Sequence, residues 1–204
     1  HGCTLPRGWE KMYPNYVGSE AVRASENLVF SQYECDQEAQ AACLHPFIRN
    51  TVGCMEFGGC FLNERLEKSN TRGTIRRTTD VFQLATCVLF QNPIQNFAIT
   101  PNNLDDAPAV CLDFLREVPT TWDEVKFIDG YPGKYIIMAR RSGSQWYVVG
   151  VNAAGETLKT TLQLPMFDGK TVTLYANDAV KEVKLNKKKT LKIEIPNNGG
   201  VVVM

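Results

Sequence analysis

Two glutamates six positions apart, Glu20 and Glu26, are the residues of this sequence best suited to acid–base or metal chemistry. Both lie in SEAVRASEN, within the irregular stretch His1 to Asn27. Carboxylates that meet in a cleft serve as an acid/base pair or as oxygen ligands for a hard cation such as Ca²⁺. On a continuous α-helix six positions separate two side chains by about 120°, so they converge only at a helix end or through a bound ion. In an extended segment the even spacing puts both on one face. Solvated helix charges are the alternative reading. Around the pair stand His1, Arg7, Trp9, Tyr13, Tyr16 and Arg23, which are rings that stack and forks that hydrogen-bond. Gly2, Gly8 and Gly18 with Pro6 and Pro14 break regular structure here. The stretch has the composition of a functional loop on a rigid scaffold.

The elements that would position this loop divide into two textures. Ser19 is an acceptable N-cap and predicts a helix from about Glu20 to Phe30. Asp80 heads a stretch with Val81, Leu84, Ala85, Val88 and Leu89 at helical spacing, ending near Pro93, and APAVCLDFLREVP predicts a further short helix. His45, before a proline and among apolar residues, reads as a structural histidine; Arg49 and Glu56 read as site-edge residues. Arg72, Arg76 and Arg77 read as a solvated loop. After Pro119 come KYIIMARR, QWYVVGVNA, TLKTTLQL, TVTLYAND, VKEVKL and TLKIEIP, short β-rich runs separated by Ser142-Gly143, Ala154-Gly155 and Asp168-Gly169. They predict an antiparallel β-sandwich. Trp122, Tyr131, Tyr135, Trp146 and Tyr147 read as core or interface rings, with a sugar-stacking platform as the other use.

Composition narrows the classes. Lys+Arg and Asp+Glu both number 22, so no net field points to nucleic acid or an anionic membrane. No apolar run approaches the roughly 20 residues of a membrane span. The seven cysteines are odd in number, lack a CxxC pair and stop at Cys111, which predicts small buried thiols rather than a disulfide framework or metal site.

Three ordered motifs carry a family resemblance: HG…PRG…MYPN…SEAVRASEN, LHPFIRNTVGCMEFGG, and VPTTWDEVKFIDGYPGKYIIMARRSGSQWYVVGVNA. Together they resemble glycoside hydrolase family 97, covering most of the chain. The resemblance implies an α/β plus all-β architecture. Residues 1–118 would be the C-terminal part of a TIM-like (β/α)8 barrel, and 119–204 a C-terminal β-sandwich. It implies a hydrolase of terminal α-galactosides or α-glucosides with bound calcium. Glu26 would be the catalytic acid, Glu20 and Glu26 calcium ligands, and His1, Tyr13 and Arg23 substrate-binding residues. Gly2 stands where inverting members carry Glu, which implies retention with an aspartate nucleophile from an earlier strand. The chain departs from the family pattern at Lys11-Met12, where Arg-Thr is usual, and at Glu56-Phe57, where Asp-Tyr is usual. Opening mid-motif on His-Gly, the sequence is expected to be the C-terminal part of a longer protein. Its partners would then be the N-terminal remainder of that protein and an oligosaccharide substrate, and the chain alone would be inactive. The family implies a periplasmic or secreted location. A non-catalytic carbohydrate-binding protein and an inactive family member are the competing readings.

Overall fold

The computed structural model describes residues 8–23, 25–167, 171–177 and 179–204. The first half alternates short strands with helices. After α1 (Trp9–Met12), Ser19 makes a parallel bridge to Met55, and a 3₁₀-helix follows at Ser25–Val29. Helix α2 (Gln32–Ala42) leads to strand β1 (Glu56–Gly59), and α3 (Asp80–Leu89) to β2 (Ile94–Phe97). The short α4 (Asn103–Asp106) and α5 (Ala109–Glu117) close this half. Strands β1 and β2 pair in parallel, Glu56 opposite Ile94 through Gly59 opposite Phe97. Parallel neighbours joined by a helix are the βαβ arrangement. The described residues close no (β/α)8 barrel.

The helix expected over 20–30 is replaced by an extended Ser19 and a single 3₁₀ turn. Ser31 takes the capping role instead: its hydroxyl accepts from Glu34 N at 3.3 Å and starts α2 in the polar run SQYECDQEAQ. The buried face of α2 is Cys35, Glu38, Ala39 and Ala42, too small and polar to show as an apolar stripe. In α3, by contrast, Thr79 caps Phe82 N at 3.1 Å, and every residue from Val81 to Leu89 is buried.

The second half is a β-sandwich-like sheet domain. Its strands are β3 (Glu124–Tyr131), β4 (Tyr135–Ser142), β5 (Gln145–Asn152), β6 (Leu158–Gln163), β7 (Thr171–Ala176), β8 (Ala179–Lys184), β9 (Thr190–Ile195) and β10 (Gly200–Val203). Six form one sheet in the order β3-β4-β5-β10-β7-β8, antiparallel throughout, and β6-β9 form a second, two-stranded sheet. Strand alternation sends Ile137, Ala139, Val148, Val201 and Val203 towards Leu162, Leu191, Ile193 and Ile195 of the second sheet. The other face sends Ile136, Tyr147, Val149, Val151 and Val202 into one core with α3 and α5. Helices and sheet therefore share a continuous apolar layer. The contact is close at Gly200, where a Cβ would lie 2.5 Å from Phe82 Cα. Of the rings after Pro119, Trp122 and Tyr147 stack edge-on at 5.5 Å and Phe114 meets Tyr147 at 6.5 Å, so these rings join sheet to helices. No helix among the described residues is long and apolar enough to cross a membrane.

Candidate active site

The segment from Ser19 to Leu28 is irregular, so its shape must come from bonds made to it. Arg49, 4% exposed, makes two of them and also binds the loop before β1. Its Nη2 donates to Ser19 O at 2.6 Å and Cys54 O at 3.1 Å, its Nε to Glu20 O at 3.3 Å and its Nη1 to Gly53 O at 3.0 Å. One guanidinium thus ties the backbone at Glu20 to the loop that enters β1, and Glu56 N adds a bond to Ser19 O at 3.0 Å. Four residues before Arg49, His45 Nε2 lies 2.8 Å from Arg23 O. A carbonyl only accepts, so Nε2 carries the proton and donates. Burial pushes the His45 pKa down to about 4, which keeps the ring neutral at physiological pH. His45 is thus a structural histidine, as its sequence context indicates.

The 3₁₀-helix that carries Glu26 is fixed from below by Leu28. This side chain is 1% exposed and packs with Cys35, Phe61 and Leu66. Its carbonyl accepts from Thr74 Oγ1 at 2.6 Å and from Cys35 Sγ at 3.3 Å. Neither Thr74 nor Cys35 carries any signal of this role in the sequence, because each acts on a main-chain oxygen.

Of the candidate side chains, Glu20 is buried and Glu26 half-buried. They sit one after the other on the stretch that follows the Ser19 bridge, with Glu26 in the first turn of its helix. Tyr13 is exposed and, with Trp9, Asn15 and Tyr16, lines an open cavity of ≈ 440 Å³. The Trp9 and Tyr16 rings meet edge to face at 5.7 Å. Arg23 does not turn to this cavity: its Nε pairs with Glu34 at 2.6 Å and its guanidinium lies 5.4 Å from the Tyr33 ring centre. Both described partners of the Arg23 side chain lie on α2. His1 and Gly2 lie outside the described residues. Arg49, expected at the site edge, is instead a buried backbone tie, and Arg76 is no solvated loop residue. It pairs with Asp80 and donates to Thr78 O at 2.7 Å and Asn63 O at 3.1 Å. The described cysteines are free thiols, all buried except the partly exposed Cys54.

Residues 121–204 match the family described as Glycosyl-hydrolase 97 C-terminal, oligomerisation. This C-terminal part of the chain belongs to glycoside hydrolase family 97. The chain is 32% identical over 166 residues to "Probable retaining alpha-galactosidase" of Streptomyces bingchenggensis, covering 80% of this chain and 24% of that protein. Against the "Retaining alpha-galactosidase" of Bacteroides thetaiotaomicron it is 32% identical over 159 residues, covering 74% and 23%. A crystal structure of a beta-arabinopyranosidase is 62% identical, with a TM-score of 0.96, covering all of this chain and 33% of that one. The chain therefore spans about a quarter to a third of the length of these relatives.

Proposed function

We propose that this chain is part of a retaining exo-glycosidase that removes a terminal sugar of galacto configuration, as an α-galactoside or a β-L-arabinopyranoside. One observation carries the reading: Glu20 follows directly on the Ser19 bridge and Glu26 lies in the 3₁₀-helix after it, at the end where parallel barrel strands hold their chemistry. In this reading Ser19, β1 and β2, with α2, α3 and α5 behind them, are three consecutive strand–helix units of a (β/α)8 barrel. The rest of the barrel belongs to the N-terminal remainder of the protein.

The choice of sugar follows from the two kinds of relative. α-D-Galactopyranose and β-L-arabinopyranose share every ring configuration and differ only in the hydroxymethyl group on C5. One hydroxyl-binding site serves both, and space beside C5 sets the preference between them. An α-glucoside differs at O4, and a site built to hydrogen-bond one epimer leaves buried groups unpaired with the other.

Glu26 would protonate the glycosidic oxygen as the bond to the leaving group breaks. An aspartate from outside this chain would attack the anomeric carbon, and Glu26, now ionised, would take a proton from the water that releases the sugar. Tyr13, with Trp9 and Tyr16, would form an aromatic wall of the sugar site, with His1 beside it. Glu20 and Glu26 offer hard oxygen donors, which fit Ca²⁺. Among the described residues no group of three or more His, Cys, Asp or Glu is placed to hold a metal ion, so these two would supply part of a shell completed elsewhere. Calcium, when bound, would supply positive charge that orients sugar hydroxyls. The family implies export to the periplasm or medium, and its C-terminal domain would mediate self-association.

The test is a panel of nitrophenyl glycosides on the intact enzyme, with the first-formed anomer read by NMR. Turnover of α-galactoside or β-L-arabinopyranoside at about 10²-fold or more above α-glucoside, with retention, is the expected result. Preference for glucoside, or an inverted first product, would overturn it.

A further inference from the structure

A cleft of ≈ 250 Å³ lies at the ends where the parallel strands begin, between the helical half and the six-stranded sheet. Cys54 before β1, Asn92 before β2, Thr120, Thr121 and Trp122 leading into β3, and Val125 within β3 line it. Its polar groups are poorly matched to one another. Asn92 is 2% exposed, yet neither its amide nitrogen nor its amide oxygen has a hydrogen-bond partner. The indole Nε1 of Trp122 and the Nε of Arg140 are likewise buried without a partner. Buried polar groups in folded proteins are nearly always bonded, so a cluster of orphans beside a cleft calls for an explanation.

Charge supplies one. Arg140 is 2% exposed and sits opposite Val125 in the ladder, on the sheet face that meets α3. Its Nη2 donates to Leu89 O at 3.0 Å and its Nη1 lies 3.5 Å from Gln91 Oε1, both neutral acceptors. The guanidinium stacks 5.9 Å from the Trp122 ring centre. The neighbouring Arg141 pairs with Asp123 and Glu124, whereas among the described residues no carboxylate pairs with Arg140. Among the described residues no Asp or Glu lines the cleft. Burial lowers the Arg140 pKa to about 10, with the nearby Cys54 pulling the other way without cancelling it. A buried cation left unpaired is costly, and an anion brought beside it relieves that cost.

We propose that this cleft binds a small oxyanion, a free carboxylate or phosphate, held by Trp122 Nε1, the Asn92 amide and the charge of Arg140. The surplus is of donors and positive charge, the complement of an oxyanion rather than of a neutral sugar or a metal cation.

Isothermal titration of the intact enzyme with inorganic phosphate and, separately, acetate decides the matter, with chloride at matched ionic strength as the reference. Saturable binding of at least one oxyanion is expected, and which one binds identifies the source. Trp122→Phe keeps the ring and removes the donor, and should weaken binding at least tenfold. Asn92→Asp places a carboxylate in the cluster and should abolish binding while raising the melting temperature. Should Asn92→Asp fail to fold by circular dichroism, Trp122→Phe carries the test. No saturable heat with either oxyanion in the wild type, or wild-type affinity in a folded variant, would overturn the proposal.

Discussion

Strands β4 and β5 share eight successive residue pairs, whereas the stretch carrying Glu20 and Glu26 is joined to its neighbour by a single bridge at Ser19. In the sheet, backbone pairs with backbone, and alternating side chains are left free to fill two cores. In the candidate site, backbone carbonyls are held by side chains: Arg49 at residues 19 and 20, His45 at 23, Thr74 and Cys35 at 28. A ladder fixes a long regular surface but gives it little freedom of shape. Side-chain ties fix a short irregular path and can present two carboxylates at chosen points. The arrangement makes the candidate site depend on a few side chains that act on the main chain beneath the two carboxylates.

The largest effect should come from the carboxylate that these ties present. Glu26→Gln should lower turnover of poor leaving groups by about 10²–10⁴-fold, the usual contribution of general acid catalysis. Activated aryl glycosides, which need no proton, should be cleaved at nearly the wild-type rate in the first step. Equal loss on both substrate types in steady-state and burst kinetics would assign the residue a positioning role only.

Removing a tie should reach the site from beneath. Arg49→Met keeps much of the buried volume but takes one donor from each of four carbonyls, at Ser19, Glu20, Gly53 and Cys54, while Ser19 O keeps its bond from Glu56 N. Each buried acceptor left unmet costs about 1–3 kcal/mol, offset in part by water entering the gap. A net loss of about 3 kcal/mol corresponds to an opening of the segment about 10²-fold more frequent. Hydrogen–deuterium exchange over residues 18–28 should show it, with the sheet amides unchanged. Uniform acceleration across the sheet would mean that the two regions are not held independently.

How much of this could be read from residue order differs between the two regions for the same reason. Strands β4 to β9 are visible because one face of each differs from the other or because turns bracket them. The closing strand β10, GVVV, is missed, although it is central in the sheet: both its faces are buried, so it shows no alternation. Helix α3 is visible through its apolar spacing, but α2 buries Glu38 where an apolar residue would have marked it. The four-residue β1 and β2 are too short for any periodicity. For the site, Glu20 and Glu26 stand out through residue type and family motif. Arg49, Thr74 and Cys35 act on main-chain oxygens, which are the same in every residue, so nothing in the sequence points to the bonds they make.

The seam between the regions should respond to volume. Gly200 has no room for a methyl group: besides Phe82 Cα, a Cβ there would lie 2.7 Å from both Phe82 N and Val81 O. These are backbone atoms of α3 and cannot rotate away. Gly200→Ala should therefore push α3 from β10 and cost about 1–3 kcal/mol, seen as a lower melting temperature of the intact protein. An unchanged melt would mean that α3 rides on the sheet loosely, and that the shared core binds the two regions less tightly than its burial indicates.

The smallest effect is a change of slope rather than of level, and it concerns the carboxylate that takes the place of an apolar residue in α2. Glu38 Oε2 accepts from Thr78 Oγ1 at 2.7 Å and Oε1 from Gln83 Nε2 at 2.5 Å, while Gln83 Oε1 accepts from Phe61 N at 3.2 Å. Burial raises its pKa; the bonds from Gln83 and Thr78 and the charge of Arg76 pull the other way without cancelling it. An acid whose pKa is higher folded than unfolded binds its proton more tightly in the fold. Its contribution to stability is complete below the unfolded value, about 4.3, and is lost as pH rises through the folded value. Glu38→Gln removes this titration and keeps the side chain's shape. Its amide must donate where Oε1 or Oε2 accepted, so Thr78 has to turn its hydroxyl, and the variant should be somewhat less stable than wild type at pH 4. As pH rises the gap should narrow, because only the wild type loses stability through this group. Urea midpoints at intervals from pH 4 to pH 8 give the comparison. Parallel curves would show that Glu38 stays ionised in the fold, and that this network is held by charge rather than by a buried neutral acid.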